Sequence, residues 1–248
     1  MGFTYRFDNI PDAELARCGG KGASLIRMTR MGLPVPEGIV ITAGAATDEV
    51  ARKEIEDAIA QLPDNCTYAV RSSALNEDGS DNSFAGQYET LTDVAKTDIF
   101  EAVRTVAGSV DNSRVREYLS NSNVSASDIA VVIQRFVKPE YAGVLFTADA
   151  VTGSSRVMVG NYVEGEGEAL VSGQKNAKEF RIDAIKYAYT GDDVMRKHAR
   201  RLYKHACRIR SEYGCETDIE WAVSGGRLYI LQARPIILDV LFRFRLIK

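Results

Sequence analysis

Apolar residues recur along the chain in two periods. From Lys21, residues Leu25, Met28 and Met31 fall on one helical face, and Gly32 and Pro34 supply a stop. In "TDEVARKEIEDAIAQL" the residues Ala51, Ile55, Ala58, Ile59 and Leu62 keep helical spacing, with Thr47 placed to cap them. "TDIFEAVRTVAGSV" predicts another helix, capped by Thr97, and residues 195–213 predict a basic amphipathic helix ended by Gly214. Strands are predicted at residues 38–42 and 67–73 and in "YETLTDV", "AGVLFTAD" and "RVMVGNYV". Residues 129–137, "IAVVIQRFV", are almost continuously apolar, which suits a central strand buried on both faces. "DIEWAVSGGRLYILQARP" predicts a closing hairpin around Gly225 and Gly226. The sum is an α+β fold in two lobes, 1–133 and 134–248, with a seam near Ile133.

Composition narrows the function classes. With 45% hydrophobic and 26% charged residues in 248, the chain resembles an ordinary soluble protein with a sizeable core. A net charge of -3 gives no global basic field for nucleic acid. No apolar run approaches the roughly 18 residues of a membrane span, and the N-terminus has no signal-peptide pattern, so a cytoplasmic protein with no membrane partner is expected. Cys18, Cys66, Cys207 and Cys215 are scattered without metal-ligand spacing. His198 and His205 lie two turns apart on the basic helix, neither with a ligand partner at i+4, so neither receives a catalytic role. The basic stretch 195–210 itself reads as a solvated helix face, without the aromatic pattern that accompanies nucleic-acid binding. "GEGE", from Gly165, has the glycines of a phosphate loop but the wrong charge, and reads as a turn.

Three stretches carry candidate chemistry. In "RCGGKGASL" glycines surround Lys21 just before a helix, where backbone N–H groups and the helix N-terminus favour an anion. It is neither a Walker A loop, since Gly22 rather than Ser or Thr follows Lys21, nor a dinucleotide GxGxxG loop. From these residues alone a plain glycine turn entering a helix is the favoured reading. In "VRSSALNEDGSDNSFAGQYET" Arg71 sits in an apolar strand, where a charge is costly unless used, and a polar loop follows. Its planar fork suits phosphate, although an edge-strand ion pair would explain it too. In the closing hairpin Asp218 and Glu220 share one strand face, and an acid beside the Gln232 amide is a donor set for Mg²⁺ with phosphate oxygens. That reading predicts a three-residue loop, Ser224, Gly225 and Gly226. Such a loop pairs Asp218 with Gln232 and leaves Glu220 and Gln232 diagonal neighbours. A two-residue loop, Gly225 and Gly226, would pair Glu220 with Leu231 and throw Gln232 to the opposite face.

Taken in order, these stretches resemble the N-terminal ATP-grasp domain shared by phosphoenolpyruvate synthase, pyruvate phosphate dikinase and rifampin phosphotransferase. "GGKGASLIRMTRMGLPVPEGIVIT", "VRSSALNEDGSDNSFAGQYET", "AVVIQRFVKPEYAGVLFTADAVTG" and "DIEWAVSGGRLYILQARPI" look like four successive family motifs, spanning residues 8–236. The resemblance implies a nucleotide cleft between two lobes, with ATP and Mg²⁺ as cofactors. It implies that Lys21 contacts the nucleotide phosphates and Arg71 clamps the transferred one. Gly86 and Thr90 would lie in the loop covering the phosphates, and Gln134 beside the adenine. Glu220 and Gln232 would be metal ligands with Asp218 close by, and Arg234 a second phosphate-binding arginine. The family's chemistry turns ATP into AMP and passes the β-phosphate to a histidine on a swivelling domain.

Two departures qualify this. The chain is compact where family members usually carry more helical material, between the equivalents of Thr42 and Tyr68 and of Ser172 and Asp218. No swivelling histidine domain or acceptor domain follows "QARPI", so the expected partner is a phosphohistidine domain on a separate chain or in a longer protein. A stand-alone ATP-binding sensor without phosphoryl transfer is the alternative.

Overall fold

A computed structural model describes residues 2–75, 90–109, 128–165 and 177–236. The chain divides into two compact units, Met1–Met31 with Pro36–Phe136, and Gly32–Val35 with Val137–Lys248.

The first unit is built on a five-stranded antiparallel sheet. Its strands are β1 (Thr4–Arg6), β2 (Gly38–Ile41), β3 (Tyr68–Ala74), β4 (Thr90–Val94) and β5 (Ile129–Arg135), ordered β1-β2-β5-β3-β4. The apolar run at β5 takes the central place its composition predicts, with every residue buried except Arg135. One face carries Ile39, Ile41, Tyr68, Val70, Val131 and Ile133. Ile55 and Ile59 of α2 (Arg52–Ala60) and Ile99, Val103 and Val106 of α3 (Ile99–Gly108) close over it. The other face, with Val40 and Val132, receives α1 (Gly19–Arg30).

The helices exist where the periodicity places them, but their starts differ. α1 begins at Gly19, not at Lys21, so Lys21 stands inside the first turn. Thr47 does not cap α2. It lies in a short 3-10 turn and donates to the Gly44 carbonyl at 3.2 Å, four residues before the cap position Ala51. Thr97 likewise lies in a 3-10 turn before α3 and donates to Asp98 Oδ1 at 3.0 Å. In both places a 3-10 turn precedes the helix, which moves the cap downstream of the hydroxyl.

The second unit is a six-stranded antiparallel sheet of β6 (Tyr141–Phe146), β7 (Val157–Glu164), β8 (Lys178–Asp183), β9 (Tyr189–Thr190), β10 (Thr217–Ser224) and β11 (Arg227–Pro235). The order is β11-β10-β6-β7-β8-β9. Strand β11 also touches the segment Gly32–Val35, where the Ile230 amide donates to the Pro34 carbonyl at 3.0 Å. Helix α4 (Asp193–Tyr213) lies against β10 and β11, burying Met195, Ala199, Leu202, Ala206 and Ile209. Gly214, in the left-handed conformation, ends it as predicted. Trp221 and Phe180 meet edge-on at 6.3 Å between centroids. Tyr162, which packs on the same ring system, donates its hydroxyl to Asp192 Oδ2, at the cap of α4, at 2.9 Å. The solvated reading of α4's outer face fits its local pairings: Arg196 with Asp193, Arg210 with Glu216, and Arg196 and Arg200 over the rings of Tyr189 and Tyr187. Of "GEGE", only Gly165 lies within the described residues.

Candidate functional site

In the first unit four of the predicted residues belong to one side of the sheet. Arg71 of β3 stands opposite Val132 of β5 and opposite Thr90 of β4. Gln134 is two residues along β5 from Val132, so the pleat puts it on the same face. Helix α1 covers that face. A Cβ added at Gly22 would lie 3.2 Å from a Val40 methyl and 3.6 Å from a Val132 methyl. Lys21 therefore rides in the first turn of the helix that packs beside Arg71, at the end where the helix dipole is positive. Thr90 is the exposed first residue of β4, a strand position rather than a loop position. Gln134 is buried, and its Nε2 donates to the Pro36 carbonyl at 3.4 Å. Gly86 lies outside the described residues.

Sequence reasoning missed one participant. The Ser73 hydroxyl, fully buried, accepts from the Gly22 amide at 3.0 Å and donates to the Cys18 carbonyl at 2.8 Å. No spacing rule announces this contact, because it joins residues 51 and 55 positions apart. The neighbouring Cys18 thiol is pushed up to about 11, chiefly by burial, so it stays a protonated thiol.

In the second unit the closing hairpin differs from its prediction in one instructive way. The turn has two residues. Ser224 pairs with Arg227, and Gly225 and Gly226 both take positive φ, 56° and 69°, as a type I′ turn requires. The three-residue loop does not form. In regular register this turn would bring Leu231 opposite Glu220. Instead the register shifts between Glu220 and Trp221, and Leu231 is passed over. The bulge leaves Glu220 directly opposite Gln232 and Asp218 directly opposite Arg234. The four side chains thus share one face, with opposed Cα atoms about 4.5–5.5 Å apart, closer than the diagonal arrangement expected. Continuing the register, Val144 and Phe146 of β6 lie on the same face.

The polar atoms of this face are unequal. Arg234 Nε donates to Asp218 Oδ2 at 2.7 Å. Asp218 is buried, and burial raises its pKa above the usual carboxylate value, Arg234 pulling it back down and Glu220 pushing it up. Gln232 is 5% exposed, and its Oε1 is buried with no hydrogen-bond partner among the described residues. A buried amide oxygen left unpaired costs about 1–3 kcal/mol. An amide oxygen that is already desolvated, opposite the carboxylate Glu220, is a donor set suited to a hard divalent cation, which takes oxygen ligands and completes its shell with water or phosphate. The residues present fit such an ion. No group of three or more His, Cys, Asp or Glu side chains gathers among the described residues, so an all-protein metal cage is not what this face offers.

His198 and His205 stand apart from both sets. Both are half-buried on α4, and burial together with neighbouring lysines and arginines holds both below their ordinary pKa of 6.5. No described helix is long and apolar enough to cross a membrane.

Comparison with known proteins identifies the family and the fold. The family model described as "Pyruvate phosphate dikinase, AMP/ATP-binding domain" matches residues 48–206 and 190–239. The prodigiosin synthesizing transferase PigC of Serratia marcescens is 34% identical, over 90% of this chain and 32% of its own length. A probable phosphoenolpyruvate synthase of Methanothermobacter thermautotrophicus is 29% identical, over 93% of this chain and 45% of its own. The chain thus spans less than half the length of these curated relatives. Among solved structures, the dinucleotide-forming acetyl-coenzyme A synthetase 1 of Ca. Korarchaeum cryptofilum matches with a TM-score of 0.50 and 14% identity, over 87% of this chain and 91% of that one. At that identity the likeness speaks for the fold alone, and the fold is ATP-grasp.

Proposed function

Because this chain belongs to the pyruvate phosphate dikinase AMP/ATP-binding domain family, we propose that it is the Mg-ATP-binding component of a dikinase-type phosphotransferase, similar to phosphoenolpyruvate synthase. It passes the β-phosphate of ATP to a histidine carried by another domain or chain, with AMP as the leaving group and the γ-phosphate released to water as inorganic phosphate. The observation that carries this reading is the hairpin: a register shift sets Glu220 directly opposite Gln232, whose amide oxygen is buried and has no hydrogen-bond partner among the described residues.

The residues divide the work by charge. Lys21 supplies a point charge to the phosphates from the first turn of α1, and Arg71 grips the transferred phosphoryl group with its planar fork. Thr90 offers a hydroxyl beside Arg71, and Gly86 belongs to the loop over the phosphates. Gln134 reads the adenine edge from the central strand. Glu220 and Gln232 hold Mg²⁺, which supplies charge neutralisation at the phosphate oxygens. Arg234 takes a further phosphate oxygen while Asp218, paired with its Nε, keeps its fork oriented. Positioning and electrostatics supply most of the rate in phosphoryl transfer, and these side chains provide both.

The test is transfer itself. The chain is incubated with Mg-ATP labelled at the β-phosphorus and with a protein carrying the phosphohistidine domain. Label in the partner's histidine, together with AMP, is expected. Mg-dependent ATP binding with persistent failure to label the cognate partner would mark the chain as a nucleotide sensor instead.

A further inference from the structure

The contact between Ser73 and the glycine turn has a geometry that bears on how the first unit holds its ligand. In a regular helix the amide of residue i donates to the carbonyl of residue i−4. At the start of α1 those two groups are Gly22 N–H and Cys18 C=O, and the Ser73 hydroxyl touches both, accepting from the first at 3.0 Å and donating to the second at 2.8 Å. A side chain from β3 is thereby built into the first turn of α1. The two groups it ties lie on either side of Lys21.

The approach is close enough to dictate sequence. A Cβ at Gly19 would lie 2.2 Å from the Ser73 carbonyl oxygen and 2.4 Å from its hydroxyl, and Gly19 has φ +68°. Both features exclude a larger residue at the helix start. On β3, Ser73 and Arg71 are two residues apart on one face, about 6.6 Å along the strand. One rigid strand therefore carries Arg71 and the anchor of the turn that carries Lys21.

We propose that Ser73 is a positioning residue: its hydroxyl fixes the Lys21 turn against β3 and so sets the spacing between the Lys21 ammonium and the Arg71 guanidinium that grip the nucleotide phosphates. This rests on the reading of Lys21 and Arg71 given above. Ser73 touches no substrate; it acts through Lys21.

A double-mutant cycle on Mg-ATP affinity separates this role from a general contribution to folding. Ser73→Ala is expected to weaken binding by roughly three- to tenfold, the scale of one lost hydrogen bond. In a Lys21→Ala background the same change is expected to have less than about a twofold effect, since the group it positions is gone. Equal factors in both backgrounds would make Ser73 merely structural and overturn the proposal. A second measurement needs neither ATP nor a variant. Hydrogen exchange in the wild-type chain should find the Gly22 amide protected well beyond that of Gly20, which heads the helix. Equally fast exchange at both would show that the clasp does not hold in solution and would overturn the proposal. Absence of Mg-ATP binding in the folded wild type defeats the reading of the site, and with it the positioning role, even if Gly22 proves protected.

Discussion

Gln232 is the residue where stability and function pull hardest against each other. Its amide oxygen is buried without a hydrogen-bond partner among the described residues, and the fold bears that cost. Replacing it with a similarly shaped apolar side chain removes the cost together with the ligand. Gln232→Met is therefore expected to leave the protein as stable as the wild type or up to about 1–3 kcal/mol more stable, while Mg-dependent ATP binding falls. Chemical denaturation and calorimetry on the same sample check both halves; a destabilised variant with intact binding would assign the amide a structural role. The sequence pointed to the residue twice, as an amide beside an acid on adjacent strands and through the order of motifs around it. Counting residues back from the turn gives the wrong pairing, because a bulge at Leu231 leaves no mark within the run Leu228, Tyr229, Ile230 and Leu231. Ser73 was less legible still: it stands two residues from a recognisable arginine, but its contact depends on how α1 packs.

At the scale of elements, periodicity located α1, α2, α3 and α4 and placed β5 at the centre of its sheet, since burial on one or both faces writes itself directly into residue order. Helix starts were less legible. Thr47 and Thr97 are good cap residues by type, yet 3-10 turns stand between them and their helices, and such turns have weak sequence signatures. The glycines before Lys21 read as a loop but belong to the helix, because the packing of α1 on β3 and β5 selects small residues there. Helix α4 carries a pH dependence. Burial lowers the pKa of His198 and His205 in the folded state, so the unfolded chain takes up these protons first as pH falls. Their contribution to stability is full above about pH 6.5 and is lost as pH drops below it. Denaturant midpoints are expected to fall between pH 7.5 and 5.5, and the double variant His198→Gln, His205→Gln is expected to flatten that slope. An unchanged slope would mean that neither histidine is buried as described.

For the whole molecule, each unit brings its own share of the candidate residues: Lys21, Arg71, Thr90 and Gln134 in the first, and Asp218, Glu220, Gln232 and Arg234 in the second. That division follows from the order of the motifs, and for this reason the family was readable before any coordinates. The acceptor was not readable, because nothing in these residues selects one. The curated relatives extend well beyond the matched region, and the proposed transfer needs a histidine from another domain or chain. Incubated alone with Mg-ATP, the chain is accordingly expected to form no AMP over many binding lifetimes, as followed by chromatography. Sustained AMP release would place a hydrolytic activity in the chain itself.

The central claim is that Glu220 and Gln232 hold the cation through which this chain binds ATP. Calorimetric titration with ATP, with and without Mg²⁺, on the wild type and on Glu220→Ala, tests it most directly. The account predicts saturable binding that needs Mg²⁺ and that weakens roughly tenfold or more in the variant, the scale of losing a charged contact. Binding that is indifferent to Mg²⁺ and undiminished in folded Glu220→Ala, or no binding at all by the folded wild type, would contradict it.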